Sequence, residues 1–191
     1  IMMNAATKKF VCIFLFTALL LGILPNQTVA AFTDITDTQT QTAAAVLAGM
    51  DITTGTTSTS FSPNTQLTRA QFCAFVIRMT GQENLVATAA RKNLFSDVPS
   101  GSWYAGYVNL AYENGLINGY GNGTFGPEDC VTYGQAATIL LSVLGYSSAE
   151  VGSVWPSDYT TFLSSLGIGQ GLSLSDSQNL TRGQAAILLY H

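Results

Sequence analysis

One helix opening is spelled three times in this chain. Residues 67–81 read LTRAQFCAFVIRMTG, residues 131–145 VTYGQAATILLSVLG, and residues 180–191 LTRGQAAILLYH. The first two extend into a longer match. With Thr68 and Thr132 as anchors, 64 residues apart, Pro63 and Pro127 each lie five residues earlier. Phe61 and Phe125 sit two before those prolines, and Gly55 and Gly119 six before the phenylalanines; the copies open as FTDI at Phe32 and FSDV at Phe95. Such a repeat sets the folding problem, because a unit this small cannot bury its own apolar face and must pack on its neighbours. The third copy is worn. LGIGQG at 166–171 stands against NGLING at 114–119, the Phe-x-Pro is missing, and the stretch from Gly171 to Thr181 is three residues shorter.

Each copy reads as helix, turn, short extended piece, helix. In the second, Tyr104, Val108 and Ala111 share a helical face, with Trp103, Tyr107 and Leu110 beside it. Asn114-Gly115 ends that helix, and Asp51 takes the glycine's place in the first copy. The repeated opening is a capping signal. Thr68, Thr132 and Thr181 are each followed three residues later by a glutamine, Gln71, Gln135 and Gln184. The threonine oxygen is expected to accept from the third amide while the glutamine returns to the cap amide. Threonine and glutamine are thus accounted for by structure. The arginine between them in copies one and three is not.

Residues 1–31 differ from the rest. Lys8 and Lys9 precede an uncharged apolar run, FVCIFLFTALLLGIL at 10–24, then Pro25 and small residues. This is the order of a secretory signal peptide, with cleavage expected after Ala30 or Ala31; the run is short for a spanning helix. The expected division is 1–31 signal peptide, 32–81 first copy, 82–94 linker, 95–146 second copy, and 147–191 a degenerate third copy, expected to be truncated. The chain begins at Ile1 and stops at His191 inside an apolar pattern, as a fragment would.

Five of the seven cationic side chains lie after residue 31, against eleven carboxylates, a net charge of −6 for that part. Phosphate recognition needs clustered Lys and Arg, so a nucleic-acid partner is excluded. Of the cysteines after residue 31, Cys73 falls on an apolar helical face; a disulfide to Cys130 is the alternative to two free thiols. The lone histidine is His191, so neither a zinc set nor a Ser/His/Asp triad is available. NGYGNGTFGPED at 118–129 lacks the carboxylates a calcium loop needs. No enzyme, metal or cofactor is expected within these residues.

The segment FSDVPSGSWYAGYVNLAYENGLINGYGNGTFGPEDCVTYGQAATILLSVLG resembles an S-layer homology repeat: an F-x-D-V opening, a Trp-led helix, G-L-I-x-G, G-x-F-x-P, and a T-R-A-E-type helix start. Copy one matches with FTDI, ITTG and FSPNTQLTRAQ; copy three keeps LGIGQG and LTRGQ. The resemblance implies a mainly α fold, three helix-turn-helix repeats packed as a pseudo-threefold helical bundle, with short extended pieces or 3-10 turns in the loops. It implies an exported protein held without a covalent bond on a Gram-positive type cell wall. The partner is then an acidic secondary cell-wall polysaccharide, pyruvylated forms included, with surface-layer neighbours beside it and no membrane contact after cleavage. A second reading makes the repeats the anchor of a larger surface enzyme whose catalytic domain lies past His191.

The family's arginine in T-R-A-E contacts the acidic sugar group. By resemblance Arg69 and Arg182 are ligand residues, and Tyr133 stands where copy two should carry arginine, leaving that groove weak or spent. A guanidinium meets a carboxylate with two parallel hydrogen bonds, and a cation at the first helical position, beside exposed helix amides, is better explained by an anionic ligand than by stability. Trp103 is expected either to line a sugar groove or to pack, and Gly119 to serve backbone geometry and close approach of a sugar. Asp97 is expected to cap a local turn.

Overall fold

The computed structural model describes residues 32–191; the signal peptide expected at 1–31 lies outside the described residues. Among these the chain is mainly helical, with no strand. The eight helices are α1 (Thr38–Gly49), α2 (Arg69–Met79), α3 (Glu83–Ala89), α4 (Ala105–Glu113), α5 (Tyr133–Val143), α6 (Ser148–Val151), α7 (Ser157–Ser165) and α8 (Arg182–Tyr190).

The three repeated openings start α2, α5 and α8. Thr68, Thr132 and Thr181 are extended, and each accepts from the amide of the glutamine three residues on. The glutamines close the boxes: Gln71, Gln135 and Gln184 Oε1 accept from the cap amides at 3.0, 3.1 and 3.0 Å. α1 starts differently, on Asp37, which accepts from the Thr40 amide at 2.7 Å. The left-handed residues after the first helices are as the sequence suggests, Asp51 at φ 58° and Gly115 at φ 69°.

Helix partners are exchanged between copies. α2 of the first copy packs on α4 of the second, α5 of the second on α7 of the third, and α8 of the third on α1 of the first. Small residues set the approach at the last of these: Ala43 and Ala44 on α1 and Ala185 and Ala186 on α8 are fully buried. A side-chain carbon added to Gly183 would come within 3.1 Å of Thr40. The residue before each threonine belongs to a small backbone ring. Leu67 N–H donates to Leu180 O, Leu180 N–H to Val131 O, and Val131 N–H to Leu67 O, all at 2.9 Å. These three side chains are fully buried, so one contact from each copy meets in the core.

The stretch 82–94 is more than a connector, since α3 occupies most of it and packs on α4. Asn109 on α4 is fully buried and donates to Ala89 O at 3.0 Å and Lys92 O at 2.8 Å, holding the end of α3. Both cysteines after residue 31 are free thiols. Cys73 is buried, and desolvation pushes its thiol up to about 12.

Candidate functional site

The F-x-D openings of copies one and two each position a carbonyl. Asp34 accepts from the Phe61 amide at 2.8 Å, the Ser62 amide at 2.7 Å and the Ser60 hydroxyl at 2.5 Å. Asp97 does the same for Phe125 and Gly126, at 2.8 and 2.7 Å. Phe32 stacks on Phe61 with centroids 5.2 Å apart, and Phe95 on Phe125 at 5.6 Å. Opening and Phe-x-Pro loop are thereby one unit, and each presents its phenylalanine carbonyl to an arginine from another copy.

Arg182 reaches from the third copy to the first. Its Nε donates to Phe61 O at 2.9 Å and its Nη2 to Thr53 Oγ1 at 3.2 Å, with the guanidinium carbon 4.8 Å above the Phe61 ring. Arg69 reaches from the first copy to the second. Its Nε donates to Phe125 O at 3.0 Å and its Nη2 to Asn118 O at 3.4 Å, and it lies 4.4 and 4.8 Å over the Phe125 and Tyr120 rings. The two residues are only 6 % and 7 % exposed, Arg69 and Arg182 respectively. Neither forms an ion pair within the described residues, although burial lowers the pKa of Arg182 and nearby Asp34 opposes that shift. In both, Nη1 has no partner among the described residues, which leaves the end-on edge of the guanidinium for an incoming group.

The helix amides beside these arginines are not exposed, which corrects the sequence expectation. Arg69 and Ala70 N–H donate to Asp129 O and Pro127 O, and Arg182 and Gly183 N–H to Thr65 O and Pro63 O. A loop from the neighbouring copy satisfies the orphan donors, so the helix dipole has no open mouth here.

Tyr133 occupies the third equivalent position. It is buried, with its hydroxyl 3.2 Å from Ser164 Oγ. Copy three, on which it lies, keeps the loop backbone, with Tyr133 and Gly134 N–H donating to Gln178 O and Asp176 O, but Leu174 and Asp176 stand where the other copies have Phe and Pro. A groove of about 400 Å³ between copies one and three is lined by Asp34, Asp37, Gln39, Gly171 and Gln184, by no cation, and not by Tyr133.

Trp103 and Arg182 do come together. A groove of about 130 Å³ is lined by Thr53, Thr54 and Gly55 from the first loop, Gln71, Phe75 and Arg78 from α2, Trp103 from the second copy and Arg182 from the third. Trp103 is more than half exposed, with its centroid 5.4 Å from Tyr104. Gly119 lies in the other loop; a side-chain carbon there would sit 2.5 Å from Thr124 O and 2.6 Å from Phe95, so internal packing alone demands glycine. Trp155, absent from the sequence reading, is the counterpart of Trp103. It stands 16 residues before Gly171 as Trp103 stands before Gly119, a spacing visible in the sequence. Its indole N–H donates to Thr138 Oγ1 at 3.1 Å. Thr138 corresponds to Ala74 in copy one, so Trp103 has no such tether there. Among the described residues no cluster of His, Cys, Asp and Glu can hold a metal, and no helix is long and apolar enough to cross a membrane.

Helix pairs exchanged between copies, with arginines buried where copies meet, define a helical repeat module. Residues 31–73 and 94–137 match the S-layer homology domain, and the chain carries that domain at both segments. It is 36 % identical to a cell surface protein of Thermoanaerobacter kivui over 91 % of its length, which is 22 % of that relative. It is 30 % identical to a surface layer protein of Brevibacillus choshinensis, over 69 % of this chain and 12 % of that one. An amylopullulanase of Thermoanaerobacterium thermosulfurigenes is 29 % identical over 83 % of this chain and 9 % of the enzyme. The chain thus spans less than a quarter of these relatives.

Proposed function

We propose that this chain is a non-catalytic module that holds an exported protein on a Gram-positive type cell wall, without a covalent bond, by binding an acidic secondary cell-wall polysaccharide. The three copies are arranged about an approximate threefold axis, a reading supported by the hydrogen-bond ring of Leu67, Val131 and Leu180. The observation that carries the binding assignment is the groove joining Arg182, Trp103, Thr53 and Thr54. Arg182 offers the free edge of its guanidinium to a carboxylate, such as that of a pyruvyl ketal, where water is partly excluded. Trp103 offers an apolar face to a sugar ring. Arg69 serves an equivalent groove with Trp155, and the Tyr133 groove is spent.

The amylopullulanase among the relatives favours a second reading that extends the first: the module is one end of a surface enzyme, and wall binding localises catalysis done elsewhere in that chain.

Sedimentation with purified walls, before and after removal of their secondary polymer, tests the assignment. The parent chain is expected in the pellet with intact walls and in the supernatant with stripped ones. Arg182→Ala is expected to lose most of this retention while its circular dichroism stays that of the parent. Equal retention on both wall preparations would remove the polysaccharide from the account.

A further inference from the structure

Arg78 lines the Arg182 groove, and anchoring through one guanidinium gives it no part. We propose that Arg78 is a second anion-contacting group there, partly neutralised by Glu83, so that this groove takes a polymer segment bearing two acidic groups in neighbouring positions. The inference rests on the reading that the Arg182 groove holds the wall polymer, and it adds which chemistry that groove prefers.

The two guanidinium groups hang from consecutive residues. Arg78 Nη1 donates to Ile52 O at 3.4 Å, and Arg182 Nη2 to Thr53 Oγ1 at 3.2 Å. Arg78 is steadied on its far side. Nη2 donates to the Tyr107 hydroxyl at 2.8 Å and the guanidinium carbon lies 5.0 Å from that ring's centre. Tyr107 in turn donates to Glu83, whose other oxygen is 3.6 Å from Arg78 Nε. The Arg78 and Glu83 side chains are 29 % and 55 % exposed. The pair is therefore screened by water and its mutual attraction is weak, which leaves Arg78 able to meet a stronger anion without first breaking a buried ion pair.

The corresponding residue of copy two is Ser142, whose hydroxyl donates to Thr138 O at 2.9 Å. The Arg182 groove thus holds two guanidinium groups, where the equivalent position of copy two supplies a hydroxyl. On a body with net charge −6, two adjacent cations form a local sink that selects dianionic segments over singly charged ones. Glu83 sets the threshold, because it offsets Arg78 until a ligand carboxylate displaces it.

A purely structural role for Arg78, tying α2 to α3 and α4, predicts the opposite response at Glu83. Removing Glu83 loosens a strut but strengthens an anion site. The test measures retention of the full chain on intact Gram-positive type walls as ionic strength is raised, for the parent, Glu83→Gln, Arg78→Gln and Arg182→Gln. Glu83→Gln is expected to bind several-fold more tightly with a steeper salt dependence. Arg78→Gln is expected to flatten the log–log salt slope by about one, since one released counterion per lost contact sets that slope. Circular dichroism reports folding, and the gain in Glu83→Gln keeps the idea testable should Arg78→Gln unfold. If Glu83→Gln binds no better than the parent while Arg182→Gln has lost binding, Arg78 is a strut and this inference is overturned, with wall binding intact. If Arg182→Gln is also retained like the parent, the assignment of the groove itself falls.

Discussion

At the scale of single residues, the arginine in the repeated opening ties one copy to another. Its Nε and Nη2 donate to carbonyl and hydroxyl oxygens of a neighbouring copy, and the ligand role proposed for it rests on the remaining Nη1. Sequence reasoning saw the arginine as unexplained by stability because the acceptor, a phenylalanine carbonyl some 56 or 121 residues away in the chain, leaves no local pattern. It also treated the missing arginine at Tyr133 as a loss confined to copy two. Given the structure, Tyr133→Arg is expected to destabilise the fold by about 1–3 kcal/mol, since it desolvates a charge at a buried site and removes the Tyr133–Ser164 hydroxyl contact; urea titration against the parent measures this. A gain in stability would show that copy three still offers an acceptor. Asp34 gives a pH prediction. The Ser60 hydroxyl and the Phe61 amide hold its carboxyl down to about 2, from an ordinary 3.8. Its folded pKa is depressed, so its contribution is complete above the unfolded value and is lost as pH falls through the folded one. Parent and Asp34→Asn should therefore differ in denaturation midpoint at neutral pH and converge as pH approaches 2.

At the scale of helices, the caps were legible and the partners were not. Thr-x-x-Gln is a local signal, and all three boxes form as written. Which copy's second helix packs on which first helix is a question of closure that repeats pose identically for every copy, so one sequence cannot answer it. The helix in 82–94, expected only as a linker, left little pattern to read because it buries a single residue, Ala89. Its contact with α4 turns on Gly106, where a side-chain carbon would collide with the Val86 backbone and lie 2.6 Å from Val86 Cγ1. Backbone cannot yield as a side-chain tip can. Gly106→Ala is expected to cost about 1–3 kcal/mol by separating the helices. Gly115→Ala, at φ 69° with open space around it, should cost only the left-handed strain, about 1 kcal/mol. Thermal midpoints of the two variants separate these mechanisms.

At the scale of the whole molecule, exchange of partners makes the copies interdependent. The Leu67–Leu180–Val131 ring needs all three copies, α1 rests on α8, and α5 rests on α7. The worn third copy illustrates the point: it lacks the Phe and Pro of the loop, yet it keeps LTRGQ, through which α8 covers α1 and carries Arg182 to Phe61. Removing residues 147–191 would strip α1 and α5 of their partners and leave Leu67 N–H and Val131 O unpaired in what was the core. Orphaned buried polar groups cost about 1–3 kcal/mol each, and the uncovered apolar faces add to that a sum comparable with the stability of a domain. Residues 32–191 are therefore expected to unfold in urea as one transition, coincident by far-UV circular dichroism and by tryptophan fluorescence. Residues 32–146 should show no cooperative transition. Two separated transitions in the longer chain, or a sharp one in the shorter, would mean that each copy holds its own core and that the exchanged helix pairs contribute little to stability.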